Sequence, residues 1–496
     1  MARFRSVQGH CAPLIDNAVQ LITSHNLHLE FERVLDPILM YAPNLDDPEH
    51  AGTPAFRQGA MAVAFSGGLD STVLLHLAKA YAAEKNIPLF AFHVHHGLNV
   101  KADEWSEHCR ACCDRLGIRF DSRQVTVRTR TGKGLAASAR RERYAALTEM
   151  SIEHGVHWLL LAHHEDDQAE TVLMRLMRGS GVLGLSGMQM MQDIEQTEIR
   201  IIRPLLGVSR FTLETWAREH SLVYVVDDSN MNPRYARNAF RLKVYPHLSK
   251  FSPGFAERIH RSALHMQSAT RLLNDLAEMD IERCREDDAL NLDRMAEFGT
   301  DRFDNLLRFW LDRNGLLMPS AAWLENARDQ LLHAKEDAQV SLGLQGALIR
   351  RYRNLLFFER SDEKGSAPQV LSDGFTALVW QGEPDLPVPE FGGRFTFETA
   401  PDGIDAKWLQ MQPLTVSAYK GQNRIRVSAR RPRKTLKTCY QELGIPAWER
   451  PRLPLLFAGD TLLFAAGIGM DTDHFSRGAN RIRIGWEQES GIHISN

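Results

Sequence analysis

Ser66-Gly67-Gly68-Leu69-Asp70-Ser71, SGGLDS, is the stretch around which this 496-residue chain is organised. The apolar run Met61–Phe65 precedes it and reads as a buried strand. Thr72–Lys79 follows it with the apolar spacing and helix formers of a helix. A strand, a Gly-Gly turn and a helix start form a device that binds anions. Glycines let backbone amides approach a ligand closely, Ser71 or Asp70 can cap the helix, and the positive helix end favours a phosphate. The alternative is an ordinary βα turn. A Walker A loop is excluded, because no GxxxxGK(S/T) occurs and Gly132-Lys133-Gly134 lacks both the upstream glycine and the following Ser or Thr.

Outward from this loop, strand and helix patterns alternate from about Gly59 to Pro246. Strands are expected at Met61–Phe65, Leu89–Val94, Arg123–Val127, Val156–Leu161 and Leu222–Val226. Helices are expected at Ser71–Glu84, Asp103–Leu116, Ala136–His154 and Asp167–Met177. Mostly apolar strands in alternation with helices predict an α/β domain with a doubly wound parallel sheet covered on both faces. In such sheets ligands lie beyond the carboxyl ends of the strands. SGGLDS, His95-His96-Gly97 and His163-His164-Glu165-Asp166-Asp167 each follow a strand, so all three should converge on one rim.

Length predicts two to four domains. Residues 1–57 read as an N-terminal extension with a helix near Ala18–Ser24 and a Pro/Asp/Gly-rich linker at Asn44–Pro54. Residues 58–250 form the catalytic domain, 251–365 a mostly helical middle domain with a strand-like end at Ala338–Glu359, and 366–496 a small β-rich C-terminal domain with one helix near Thr435–Leu443. A polar stretch, Ser361–Pro368, precedes the last domain.

Composition narrows the class. With 44% hydrophobic and 24% charged residues the chain reads as globular, and no apolar run of about 18 residues suggests a membrane span. The first residues lack signal-peptide order and carry Asp16, Glu30, Glu32 and Asp36, so a cytoplasmic location is expected. A net charge of −3 does not itself suggest a nucleic-acid partner; only local clustering does. Six cysteines are too few for a disulfide framework, and Cys109, Cys112 and Cys113, in a helical pattern, read as buried thiols.

Four pieces carry chemistry. Asp70 is placed to bind Mg²⁺ held by ATP phosphates, its alternative being helix capping. In HHEDDQAET (163–171), helical spacing puts Asp167, Glu170 and Thr171 near one face, and HExxH zinc spacing is absent. The following Arg178-Gly179-Ser180-Gly181 is a basic turn suited to a phosphate. Asp227–Pro246 opens with turn chemistry and then brings Arg234, Arg237, Arg241 and Lys243 together with Tyr235 and Phe240. That mixture suits a backbone phosphate and an exposed base, although a solvated basic helix face has the same composition. From Arg424 to Lys437, seven of fourteen residues are Arg or Lys and none is acidic, a patch suited to phosphates.

SGGLDS closely resembles the pyrophosphate loop of ATP-pyrophosphatases. Together with FHVHHGL, HHEDDQAET, RGSGVLGLSGM (178–188), ARRERY (139–144) and DDSNMNPRYARNAFR (227–241), it resembles the tRNA(Ile)-lysidine synthase family across nearly the whole α/β domain. One departure is Ala136, where many members carry Glu. The resemblance implies adenylation of O2 of the wobble cytidine in a CAU-anticodon tRNA(Ile), pyrophosphate release, and attack by free L-lysine at C2 to give lysidine, which switches reading from AUG to AUA. It implies ATP and Mg²⁺, an ATP site at Ser66, Gly67, Gly68, Leu69, Asp70 and Ser71, and a metal at Asp70. Asp70, Asp167 and Arg237 become the catalytic candidates. Asp167 is the candidate to bind the lysine ammonium and take its proton, and Arg237 to stabilise charge on phosphate or base oxygens. Arg178, Arg234, Asn238 and Arg241, and in the tail Arg430, Arg431, Arg433 and Lys434, become the tRNA-binding candidates, the tail facing the acceptor arm. A homodimer is admitted as an assembly.

The nearest rival is a PP-loop tRNA-thiolating enzyme of the 2-thiocytidine type, with Cys109 and Cys112 as cluster ligands. Such relatives usually carry Lys where Leu69 stands and lack the 227–241 element. An ammonia-using amide synthetase and a non-catalytic tRNA-binding protein are the remaining alternatives.

Overall fold

The computed structural model describes residues 23–40, 59–95, 97, 101–126, 135–227, 231–334, 340–360, 375–419 and 421–488. It divides into a unit of residues 7–274 and a second formed chiefly by residues 275–496.

The first unit is built on a six-stranded sheet. Its elements in chain order are α1 (Leu27–Met40), β1 (Ala60–Ala64), α2 (Leu69–Lys85), β2 (Leu89–His95), α3 (Ala102–Leu116), β3 (Arg119–Gln124), α4 (Leu135–Glu153), β4 (Val156–Leu160), α5 (Glu165–Leu176), α6 (Val182–Leu185), β5 (Met191–Asp193), β6 (Arg200–Ile202), α7 (Arg210–Glu219), α8 (Ala236–Lys243), α9 (Tyr245–Phe251) and α10 (Phe255–Cys284). The strand order is β3-β2-β1-β4-β6-β5; β5 alone in this sheet pairs antiparallel. Alternate residues of β1 feed two cores. Met61 and Val63 pack with α1, α2, α3 and α7 on one face, and Ala60 and Ala62 with Leu147, Met150 and Leu159 on the other. Period-2 burial on both faces explains why β1 is apolar throughout. The chain steps outward from β1 to β2 and β3, then returns to β4 on β1's other side. The crevice at this reversal, between the carboxyl ends of β1 and β4, is where such sheets bind ligands. SGGLDS leaves β1 there and HHEDD leaves β4 there.

Two expectations are corrected. Leu222–Val226 is not a strand: Val223 and Val226 are largely exposed, and the segment is held by the Leu222 amide donating to Ala217 O at 2.9 Å and the Val225 amide donating to Gly67 O at 2.8 Å. The place beside β4 belongs to β6, whose Ile201 pairs with Leu159 and which at three residues is too short to show periodicity. β3 begins at Arg119 rather than Arg123, and Val127 lies outside the described residues. In the N-terminal extension the described helix is α1; the helix expected near Ala18–Ser24 lies outside the described residues except for Thr23 and Ser24. Leu27, Phe31, Leu35 and Leu39, one per turn, are fully buried in the sheet's core, and Tyr81 Oη donates to Asp36 at 2.8 Å.

The second unit takes over within α10, from Asp275, and there the helical run is broken by a hairpin, β7 (Arg285–Glu286) and β8 (Ala289–Asn291), before α11 (Leu292–Glu297), α12 (Thr300–Arg313) and α13 (Ala321–His333). With β9 (Ser341–Leu344), β10 (Ala347–Tyr352) and β11 (Leu355–Arg360), the hairpin forms an antiparallel sheet over a core of Phe303, Leu306, Leu307 and Ile349. Residues 375–488 are β-rich as expected, with the helix Leu436–Glu442 buried through Leu436, Cys439 and Tyr440. Among the described residues no helix is long and apolar enough to cross a membrane.

Candidate active site

Backbone conformation explains the glycines of SGGLDS. Gly67 has φ +80°, and a Cβ there would stand 2.8 Å from Cys109 Sγ. Gly68 is the N-cap of α2 and offers no side-chain acceptor to the first-turn amides. The hydroxyls brace the loop instead: Ser71 Oγ donates to Gly68 O at 3.0 Å, Thr72 Oγ1 donates to the same oxygen at 2.9 Å, and Ser66 Oγ lies 3.0 Å from Ser71 Oγ. Amides left without intrahelical partners at a helix N-terminus form a phosphate cradle. Asp70, second residue of α2, has a buried Oδ1 with no hydrogen-bond partner among the described residues. Burial raises its carboxyl above the ordinary range, although His164 and Arg210 pull the other way. An orphaned carboxylate oxygen beside a phosphate cradle suits a hard cation.

The acidic run opens α5. His164 is its N-cap, and its amide donates to Asp167 Oδ2 at 3.1 Å. The His164 ring is 1% exposed and lies at ion-pair distance from three carboxylates. Nε2 is 3.4 Å from Asp167 and 3.8 Å from Asp70, and Nδ1 is 3.5 Å from Asp166. Burial opposes its charge, but Asp167, Asp166 and Asp70 outweigh that and raise it. His163 is lowered to about 3 by burial, which outweighs the opposing pull of Asp167, and is neutral.

Asp167 and Glu170 share two arginines from α8. Arg237 donates to Asp167 Oδ1 at 2.9 Å and to Glu170 Oε2 at 2.7 Å; Arg241 donates to Asp167 Oδ1 at 2.5 Å and to Glu170 Oε1. Burial would raise Asp167, but His164, Arg237 and Arg241 hold it at about 2. Asp166 is likewise held at about 2 against burial, by His164, the Tyr245 hydroxyl and the Arg210 amide. Glu165 is the opposite case. Burial beside Asp166 and Glu257 raises it to about 7.

Of the expected residues, Ser66–Ser71, Asp167, Arg237 and Arg241 come together on this rim. His95, at the end of β2, pairs instead with Asp103 at 3.0 Å, and His96 lies outside the described residues. Arg178 and Arg234 are exposed, and Asn238 Nδ2 donates to Asn232 O at 3.1 Å. In the tail, Arg433 donates to fully buried Asp471 and to Asp473, and Lys434 to Glu442 at 2.5 Å, while Arg430 and Arg431 are exposed. The sequence placed His164 and Glu170 in a motif expected at this rim without giving either a role, and it did not mark Arg210 at all. The thiols Cys109, Cys112 and Cys113 are buried behind the glycine loop, and burial lifts Cys113 to about 12. This makes thiolation the weaker reading.

A PP-loop domain model matches residues 44–248. A parallel sheet with a glycine phosphate loop at its reversal point is thus the ATP-using domain of a PP-loop enzyme. Models described as the TilS substrate binding domain and the TilS substrate C-terminal domain match residues 290–357 and 414–486. The chain is 40% identical over 428 residues to tRNA(Ile)-lysidine synthase of Ralstonia nicotianae, covering 84% of this chain and 91% of that one. It is 34% identical over 429 residues to that of Nitrosomonas europaea, covering 86% and 91%. This chain belongs to the tRNA(Ile)-lysidine synthase family, and its substrate is a tRNA. Among solved structures, the U34-tRNA thiolase NcsA from Methanococcus maripaludis matches at 19% identity and a TM-score of 0.39, covering 49% of this chain and 78% of that one.

Proposed function

We propose that this chain adenylates O2 of the wobble cytidine in CAU-anticodon tRNA(Ile) and replaces that oxygen with the side-chain nitrogen of free L-lysine. The observation that carries the reading is the linkage of the phosphate loop, through His164 between Asp70 and Asp167, to the ring formed by Asp167, Glu170, Arg237 and Arg241. Cytidine O2 attacks the α-phosphorus, the bond to the β-phosphate bridging oxygen breaks, and pyrophosphate leaves into the amides of Gly67 to Ser71. Lysine Nζ then attacks C2, the C2–O2 bond breaks, AMP leaves with the oxygen, and nitrogen loses its protons. Helix-end amides aimed at the departing anion stabilise its charge where it develops.

Asp70, with its orphaned oxygen, is the residue that would hold Mg²⁺, which when bound neutralises phosphate charge. Asp167 and Glu170 offer the carboxylates for the lysine ammonium. Holding that amine neutral near pH 7 costs roughly 4–5 kcal/mol from a pKa of about 10.4. Asp167 at about 2 is a strong ammonium partner but a weak base. It therefore takes the proton only as the C–N bond forms and the nitrogen becomes acidic. Arg237, about a third exposed, is assigned to the phosphate and base oxygens. We assign residues 58–250 to this chemistry, and 251–365 and 366–496 to holding tRNA. Arg178, Arg234, Asn238 and Arg241 face the anticodon side and Arg430 and Arg431 the acceptor arm, where Arg433 and Lys434 brace the loop. The reaction is placed in the cytoplasm with its substrates, and gel filtration tests the homodimer.

Nucleotide products decide the reaction type. With CAU tRNA, ATP should yield AMP and pyrophosphate, and a tRNA of another anticodon should yield neither. ADP and phosphate, or cleavage indifferent to the anticodon, would refute the reading.

A further inference from the structure

Three helix N-termini meet at the phosphate rim, and the third brings a cation. Asp70 is the second residue of α2, Asp166 the second of α5, and Arg210 the first of α7. The Arg210 amide donates to Asp166 Oδ2 at 2.8 Å, its Nε donates to Glu214 Oε1 at 3.0 Å, and its Nη1 stands 3.5 Å from Asp70 Oδ2. The last distance exceeds a hydrogen bond, so the guanidinium is near Asp70 without being committed to it. It is 41% exposed, and among the described residues its Nη2 has no acceptor.

A cation at the start of a helix opposes that helix's dipole. Arg210 also lies beside the positive end of α2. Glu214 offsets part of this, but fold stability alone gives little reason for a guanidinium there. An incoming polyanion does. The planar fork matches paired phosphate oxygens, and two helix ends add positive potential.

Position selects which phosphates. His164 Nε2 lies between Asp70 and Asp167, with Arg210 on the Asp70 side and Arg237 and Arg241 on the Asp167 side. Arg241 also acts electrostatically on Asp70 and Arg210, so the arginines share one rim, with Arg210 at its Asp70 end, beside the first turn of α2. We propose that Arg210 is a pyrophosphate-binding residue, gripping the leaving group of the adenylation step, an inference that rests on the function proposed above. Its other contacts set its pose: Glu214 holds Nε, Asp166 holds the amide, and both outward nitrogens remain for phosphate oxygens.

The test is direct binding of magnesium pyrophosphate and of AMP, by calorimetry, to the full-length wild-type protein and to Arg210→Gln and Arg210→Lys. Arg210→Gln should weaken pyrophosphate at least tenfold and leave AMP within twofold, with Arg210→Lys recovering part of the loss. Pyrophosphate affinity within twofold of wild type overturns the assignment. So does an equal loss for both ligands, which would mark a merely structural residue. A wild-type protein that makes no AMP and pyrophosphate from ATP with CAU tRNA would instead sink the proposed reaction itself.

Discussion

Glu170→Gln tests whether the carboxylate–arginine ring docks α8 onto α5. Glu170 is 1% exposed and accepts from Nε of both Arg237 and Arg241. Each charge-assisted hydrogen bond contributes about 1.5–3 kcal/mol. A glutamine carbonyl can retain one of them, weakened by loss of the carboxylate charge, and its amide then turns a donor toward the other guanidinium. The gross loss is about 3 kcal/mol. The arginines are 36% and 33% exposed, so water recovers part of it, leaving roughly 2 kcal/mol. At 1.4 kcal/mol per decade, α8 should open about 30-fold more often. Hydrogen exchange of residues 236–243 should accelerate by that factor while the β1 and β4 amides stay unchanged, and lysidine formation should fall with it. Exchange of α8 within threefold of wild type would refute the reasoning, as would acceleration spread evenly over the sheet.

Gly67→Ala should lower the melting temperature by several degrees and abolish ATP use, since the left-handed φ and the contact with Cys109 Sγ each disfavour a Cβ; thermal denaturation and AMP release measure the two effects. Glu165 has a folded pKa of about 7, above its unfolded value, so its stabilising contribution is complete below the unfolded pKa and is lost as pH rises through 7. Glu165→Gln should therefore raise stability at pH 8, by up to about 3 kcal/mol, and change little at pH 4.5, as followed by urea denaturation at both pH values. Arg430→Gln with Arg431→Gln should reduce the dependence of log Kd for tRNA on log salt by up to about 2, whereas Arg433→Gln should chiefly lower thermal stability by stranding buried Asp471.

What was legible in the sequence was local. SGGLDS follows an apolar strand directly, so loop, strand and helix could be read from neighbouring residues, and the unbroken apolar run of β1 announced a sheet covered on both faces. The partners of Asp167 were not legible as partners, because Arg237 and Arg241 stand 70 and 74 positions away and meet it only through the packing of α8. Arg210 was hidden for the same reason: nothing in RFTLETWARE announces that α7 starts beside Asp70. Leu222–Val226 misled because a short β-branched, apolar run also describes an extended segment lying over a loop. β6 was missed because three residues carry no period. Helix α1 had a readable spacing in Leu27, Phe31, Leu35 and Leu39, obscured by Pro37 and the charged residues between them.

The central claim is that one rim both cleaves ATP at the α-phosphorus and joins lysine to a cytosine. Mass spectrometry of nucleosides from CAU tRNA(Ile), after incubation with this protein, ATP, Mg²⁺ and isotopically labelled lysine, tests it most directly. The account predicts one modified cytidine per tRNA, carrying the label through the side-chain nitrogen at C2 and lost in Asp70→Asn. Unmodified cytidine, or a cytidine carrying sulfur instead of labelled lysine, would contradict it.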